Sequence, residues 1–289
     1  MKAAGVVNKI EDWAGKKIVN YKSVTGGSIA KTDQIEFEDG RSGFLKTGSE
    51  LSDVFQKEAN GLKELAKTNC IRVPEVLLVD ENFLLLEFIE QRRKDQKFFI
   101  HFGEQLANLH SRTAFKFGFK EDNYIGSTPQ LNTTKPNEAE NWIDFYYNKR
   151  LLYQYKLAEQ KGLAGNELKN GFLILENRIE EILEGSEEKP TLIHGDLWNG
   201  NYLCDVNSNP VLIDPAVYYG HREADLAMTK LFGGFDDIFY DTYSKHKPLP
   251  QGYDYRENIY MLYHVLNHLN LFGNSYYGQA VRLVWSYLH

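Results

Sequence analysis

Two kinds of hydrophobic pattern divide the chain. Over the first ninety residues the apolar positions form short runs or alternate, as they do in strands. Ile18 to Val24, Gln34 to Phe37 and Gly43-Phe44-Leu45-Lys46 read as extended segments, and Phe83-Leu84-Leu85-Leu86-Glu87-Phe88 as a buried strand. Val73-Pro74 opens a further strand region, and Thr25-Gly26-Gly27-Ser28 reads as a tight turn between the first two strands. One helix interrupts this part: Phe55, Ala59, Leu62 and Ala66 share a face, with Ser52 as its cap and Asn69 at its end. After the polar stretch Gln91-Arg92-Arg93-Lys94-Asp95 the apolar residues recur at helical spacing instead. Helices are predicted over Phe98 to Ser111, Trp142 to Gln160 and Leu168 to Leu183, then from about Glu257 to Leu271 and from about Tyr276 to Leu288. The polar segment Asn123 to Glu138, with two prolines, reads as a loop. The expected fold class is α+β: a small β-rich lobe over residues 1–89 and a larger, mainly helical lobe over residues 90–289. They join near residues 87–91, and a cleft between lobes suits a small ligand.

Composition narrows the function classes. The chain has 289 residues, enough for two lobes, and 42% hydrophobic with 25% charged residues is ordinary for a globular protein. A net charge of −7 and a pI of about 5.7 carry no nucleic-acid footprint. No apolar run approaches the roughly 18 residues of a membrane span. Lys2 is followed by too few apolar residues before Asn8 for a signal peptide's apolar core. Cys70 and Cys204 lie far apart and read as small buried thiols, so a cytoplasmic, disulfide-free protein is expected.

The chemistry concentrates in His194-Gly195-Asp196-Leu197-Trp198-Asn199-Gly200-Asn201, followed by the apolar run Val211-Leu212-Ile213 and Asp214. Phosphoryl transfer needs one carboxylate to receive or orient a hydroxyl proton, and an amide and a second carboxylate to hold magnesium. Asp196 is the candidate base, and Asn201 and Asp214 are the candidate metal ligands. Lys46, ending a strand after the glycine turn, is the candidate phosphate lysine, with Glu58 on the next helix to pair with it. Gly26, Gly27 and Ser28 would offer backbone amides to phosphate oxygens. At the lobe junction the Glu87 carbonyl and the Ile89 amide could bond adenine, which makes ATP and Mg²⁺ the implied cofactors. Trp198 could stack on a sugar face. His264 and His268 are four apart, but no Glu follows the first, so the zinc-protease pattern fails. Trp142, Phe145, Tyr146 and Tyr147 are read as core.

The motif together with Asp214-Pro215-Ala216-Val217-Tyr218-Tyr219-Gly220-His221-Arg222-Glu223-Ala224-Asp225-Leu226-Ala227-Met228 resembles the fructosamine kinase (ketosamine-3-kinase) family. So do Asn123 to Gln130, Trp142-x-x-Phe145-Tyr146 with Arg150, and Asn267 to Gly273, so the likeness spans nearly the whole chain. The resemblance implies a two-lobed, protein-kinase-like fold and ATP-dependent phosphorylation of the sugar's third-carbon hydroxyl in a ketosamine, after which the product falls apart and frees the amine. It also implies Trp198 and His268 as substrate contacts and Asp225 as a brace of the catalytic loop.

Two departures stand out. Many eukaryotic members carry a cysteine in the glycine turn, and this chain has none there, which puts redox control through that turn in doubt. Pro215-Ala216 follows Asp214, and Asp225 comes soon after, leaving little room for a phosphorylatable activation loop. The enzyme is expected to be constitutively active. The rival readings are another small-molecule kinase of the same fold, for an aminoglycoside or choline-like acceptor, and a pseudokinase that binds nucleotide without transfer. Which ketosamine is preferred, and the oligomeric state, stay open.

Overall fold

The computed structural model describes residues 2–24, 30–48, 51–135 and 139–287. The glycine turn predicted at Gly26, Gly27 and Ser28 therefore lies outside the described residues. Five antiparallel strands form the N-terminal sheet: β1 (Ile18–Ser23), β2 (Lys31–Phe37), β3 (Ser42–Thr47), β4 (Val76–Asp80) and β5 (Phe83–Glu87), in the order β1-β2-β3-β5-β4. Alternation along these strands sorts the side chains onto two faces. Phe83 and Leu85 join Ile35, Phe37 and Leu45 against Ile10 of helix α1 (Lys2–Ala14). Leu84 and Leu86 pack instead against Phe55, Ala59 and Leu62 of helix α2 (Val54–Ala66). Lys46 pairs with Leu84 across the β3–β5 ladder, so the same alternation turns the lysine toward α2.

Several expectations are corrected here. Helix α1 was not predicted. Ser52 does not cap α2: Asp53 holds the cap position without a side-chain cap bond, and its carboxylate accepts instead from the Tyr124 hydroxyl at 2.7 Å. Ala66 is exposed, and Leu65 completes the buried face instead. The supposed loop after residue 123 begins with a hairpin, β6 (Asn123–Ile125) paired with β7 (Thr128–Gln130).

The helical part is built from α3 (Gln96–Leu109), α4 (Trp142–Tyr146), α5 (Tyr153–Gln160), α6 (Asn166–Leu183), α7 (Arg222–Leu231), α8 (Asp237–His246), α9 (Tyr253–Phe272) and α10 (Tyr277–Trp285). The stretch predicted as one helix from Trp142 to Gln160 contains a π-helical segment, Tyr147–Leu152, between α4 and α5. Trp142, Phe145, Tyr146 and Tyr147 are buried in the largest core cluster, as expected, against Ile259, Tyr260 and Tyr263 of α9. Short antiparallel pairs frame the motif region: β8 (Thr191–Ile193) with β11 (Tyr218–Gly220), and β9 (Tyr202–Cys204) with β10 (Pro210–Leu212). Among the described residues no helix is long and apolar enough to cross a membrane.

Arg256 on α9 and Glu223 on α7 form a bidentate pair at 2.5 and 2.9 Å, with both side chains almost wholly buried. Truncating one partner leaves the other charge without compensation, so Glu223→Ala is expected to cost about 3–5 kcal/mol of folding stability. Urea denaturation of the variant beside the parent measures this. A loss under about 1 kcal/mol would mean that water reaches the pair.

Candidate active site

The loop that carries Asp196 leaves β8 at His194 and is held by a fully buried carboxylate. Asp225 accepts the His194 amide at 2.7 Å on Oδ2 and the Gly195 amide at 2.8 Å on Oδ1, and His110 Nε2 lies 3.3 Å away. This is the brace that the resemblance implied. Burial would raise the Asp225 carboxyl, but the His110 and His194 rings and the Gly195 amide outweigh it, and its pKa is lowered. Only glycine fits at position 195, where φ is +83° and a Cβ would meet the Ala216 carbonyl oxygen at 2.1 Å. The buried His194 ring takes the Asp196 amide on Nδ1 at 3.3 Å, which leaves Nε2–H to donate to the Ile213 carbonyl at 2.9 Å. One imidazole thus ties the Asp196 loop to the strand end that carries Asp214. Burial lowers its pKa and keeps the ring neutral.

Asn201 donates through Nδ2 to both the carbonyl and Oδ2 of Asp196, at 2.7 and 2.9 Å. Its own Oδ1 takes no hydrogen bond among the described residues. Burial pushes the Asp196 carboxyl up to about 7; the Asn201 amide works against that, while Asp214 and Asp225 add to it. Asp214 occupies the left-handed region, with φ of 55°, a local cost of order 1 kcal/mol that is common at functional sites.

Lys46 reaches both lobes. Its ammonium lies 2.7 Å from Glu58 Oε1 and 2.6 Å from Asp214 Oδ1. Burial disfavours its charge, but the two carboxylates more than offset this and raise its pKa above the usual lysine range. Glu58 is pushed up by burial against the pull of the ammonium. Lys46, Glu58, Asp196, Trp198, Asn201 and Asp214 line one cavity of about 380 Å³, a size suited to a small ligand. The oxygens that no hydrogen bond uses among the described residues, Asn201 Oδ1 and Asp214 Oδ2, are hard donors of the kind magnesium takes.

The remaining site expectations fare unequally. Trp198 lines the cavity, its ring lying so close over Gly200 that a Cβ there would clash at 2.4 Å. His268 does not line the cavity; it stands one ring further out, 5.1 Å from Phe232, which itself meets Trp198 at 5.8 Å. Its Nδ1 is within 2.7 Å of the His264 carbonyl, which removes one metal donor, and the described residues hold no three-ligand metal cluster. Glu87 and Ile89 do not line the cavity either. The Glu87 amide is committed to the Glu75 carbonyl and its side chain to Arg72. Phe44, Ile213 and Tyr124 line the cavity and were not singled out from the sequence. Phe44 was findable, since it stands two residues before Lys46 on one strand and so shares its face.

The profile of the fructosamine kinase family matches residues 3–289. The chain belongs to the fructosamine kinase family. Among its family relatives, a protein named probable ketoamine kinase from Enterococcus faecium is 40% identical over 90% of this chain and 92% of its own length. The chloroplastic protein-ribulosamine 3-kinase of Arabidopsis thaliana is 38% identical over 99% of this chain and 89% of its own. A candidate fructosamine-3-kinase from Thermobifida fusca superposes with a TM-score of 0.88 at 31% identity, covering 98% of each chain. An aminoglycoside phosphotransferase with bound ADP has a TM-score of 0.62 at 16% identity over 97% of each chain, which places the family within the two-lobed kinase-like fold.

Proposed function

We infer that this chain is an ATP-dependent ketosamine kinase that phosphorylates the third-carbon hydroxyl of the sugar part of a fructosamine- or ribulosamine-type adduct. The observation that carries the reading is the contact of Lys46 with Asp214 at 2.6 Å, in one cavity with Asp196 and Asn201. Lys46 would bind the α- and β-phosphates, held in place by Glu58. Asn201 Oδ1 and Asp214 Oδ2 would hold magnesium, which when bound neutralises charge on the phosphate oxygens. Phe44 and Ile213 would flank the nucleobase, with Glu87 and Ile89 beyond them. Asp196 would receive the acceptor proton and set that oxygen in line, and Trp198 would offer a face to the sugar, with His268 behind it. The phosphate lysine and its glutamate thus lie in residues 1–89, and the metal ligands, the base and the acceptor contacts in residues 90–289, with the nucleotide between them. Positioning and electrostatics would supply the acceleration, with no covalent intermediate on the protein. Two free thiols, one of them buried, fit a reducing compartment such as the cytoplasm.

An acceptor panel tests the substrate class. With ATP and magnesium, ADP release is expected with fructosyl-lysine or ribulosyl-lysine and not with choline, kanamycin or ribose. Phosphorus NMR should place the new ester on the third sugar carbon. Turnover of kanamycin or choline in preference to both adducts would overturn the assignment.

A further inference from the structure

Helix α2 carries a second polar stripe besides the glutamate that meets Lys46. At about 100° per residue, Asp53 at its cap and Lys57, Asn60 and Glu64 within it fall within about 60° of one another. Each bonds a group from the helical part of the chain. Tyr124 OH donates to Asp53 Oδ1 at 2.7 Å. Lys57 and Asn60 donate to the two oxygens of Glu121, both at 2.8 Å. Tyr219 OH donates to Glu64 Oε1 at 3.1 Å. Glu58 lies on the same helix, one residue after Lys57, so its position relative to Lys46 is set by whatever fixes the rotation and height of α2.

We propose that Glu121, through Lys57 and Asn60, is a positioning residue for nucleotide binding: it clasps α2 so that Glu58 stays in register with Lys46. In kinases that lysine–glutamate pair must be in place for phosphate binding, and the placement of this helix controls it. Here the clasp comes from the chain segment just before hairpin β6–β7 and needs no modification to form. Glu121 ranks above the other members because both its oxygens are used, it draws two α2 residues one helical turn apart, and it does not line the cavity. The proposal rests on Lys46 being the phosphate ligand and is independent of the acceptor's identity.

The test is a double-mutant cycle on the full-length protein, read by calorimetric titration with ADP and magnesium. Glu121→Gln is expected to weaken nucleotide affinity about tenfold, while the acceptor KM stays within about twofold. In a Glu58→Gln background the same change should have almost no further effect, because the residue through which it acts is already disabled. Equal losses in both backgrounds would overturn the clasp, since Glu121 would then act through the fold or through Lys57, which itself lines the cavity, and not through Glu58; unchanged affinity in the parent background would remove it altogether. Should Glu121→Gln not fold, Asn60→Ala takes its place in the same cycle: coupling to Glu58 supports the clasp, and additivity overturns it.

Discussion

Replacing Asp196 with asparagine lowers turnover on a ketosamine by about 10²–10⁴-fold, the usual span for a general base. Nucleotide affinity stays near that of the parent, since Lys46, Asn201 and Asp214 are untouched. Asparagine is the informative choice because its side-chain oxygen can still accept from Asn201 Nδ2, so the loop keeps its bond while losing the basic oxygen. The parent should lose kcat/KM as pH falls through about 7, because burial raises this carboxyl to that value and only the ionised form accepts a proton. The residual activity of the variant should lack that acidic limb. The sign for stability is the reverse. A carboxyl whose folded pKa is raised binds its proton more tightly in the folded state, so the folded protein carries a penalty above about pH 7 that is relieved on acidification. At pH 8 the ligand-free variant should therefore melt at or above the parent temperature. Steady-state kinetics across pH reads turnover and the acidic limb, an ADP titration reads nucleotide affinity, and a thermal melt at pH 8 reads stability; parent-like turnover would take Asp196 out of the mechanism.

Asp225→Ala is expected to damage folding and turnover together. It strands the buried amides of His194 and Gly195, each at a cost of about 1–3 kcal/mol. It also removes the carboxylate beside His110, whose other ring nitrogen is 2.9 Å from the Tyr243 hydroxyl. The sum, roughly 2–6 kcal/mol, is a large part of a typical domain's stability of about 5–15 kcal/mol. Urea unfolding gives the stability loss. Turnover normalised to folded protein reports the loop: Asp196 lies one residue beyond Gly195, so kcat should fall further than the folded fraction does. Because the Asp225 pKa is lowered, its contribution is present above the ordinary carboxylate range and lost on acidification below it. The gap in stability between parent and variant should accordingly narrow at low pH.

The site was legible in the sequence because its chemistry is written in short segments whose residue types are hard to substitute. His194 to Asn201 and Asp214 need no long-range information to be noticed, and the fold then brings Lys46 to them. The apolar run from Phe83 likewise reads as a buried strand, although which partners Leu84 and Leu85 meet comes only from the fold. Helix α1 aside, what escaped notice traces mainly to the burial of polar groups. Helix α7 buries Arg222, Glu223, Asp225 and Thr229 as well as Ala224, Leu226, Ala227 and Met228, so polar side chains break up its apolar period. Hairpin β6–β7 is three residues per strand, and its buried Asn123 and Gln130 bond each other and the Val217 and Ala216 carbonyls. The π-helical segment at Tyr147 to Leu152 shifts the phase of a run that reads as one regular helix. Arg150, on that segment, is buried 3.9 Å above the Tyr218 ring and bonds Leu131 O and Asn132 Oδ1. Each was settled by partners distant in sequence.

Between Asp214 and the start of α7 the chain has only enough length to form β11, which is already paired with β8. Covalent switching has no slack stretch to act on there. A modifying enzyme that must grip several residues of open chain would find none to hold between these two points.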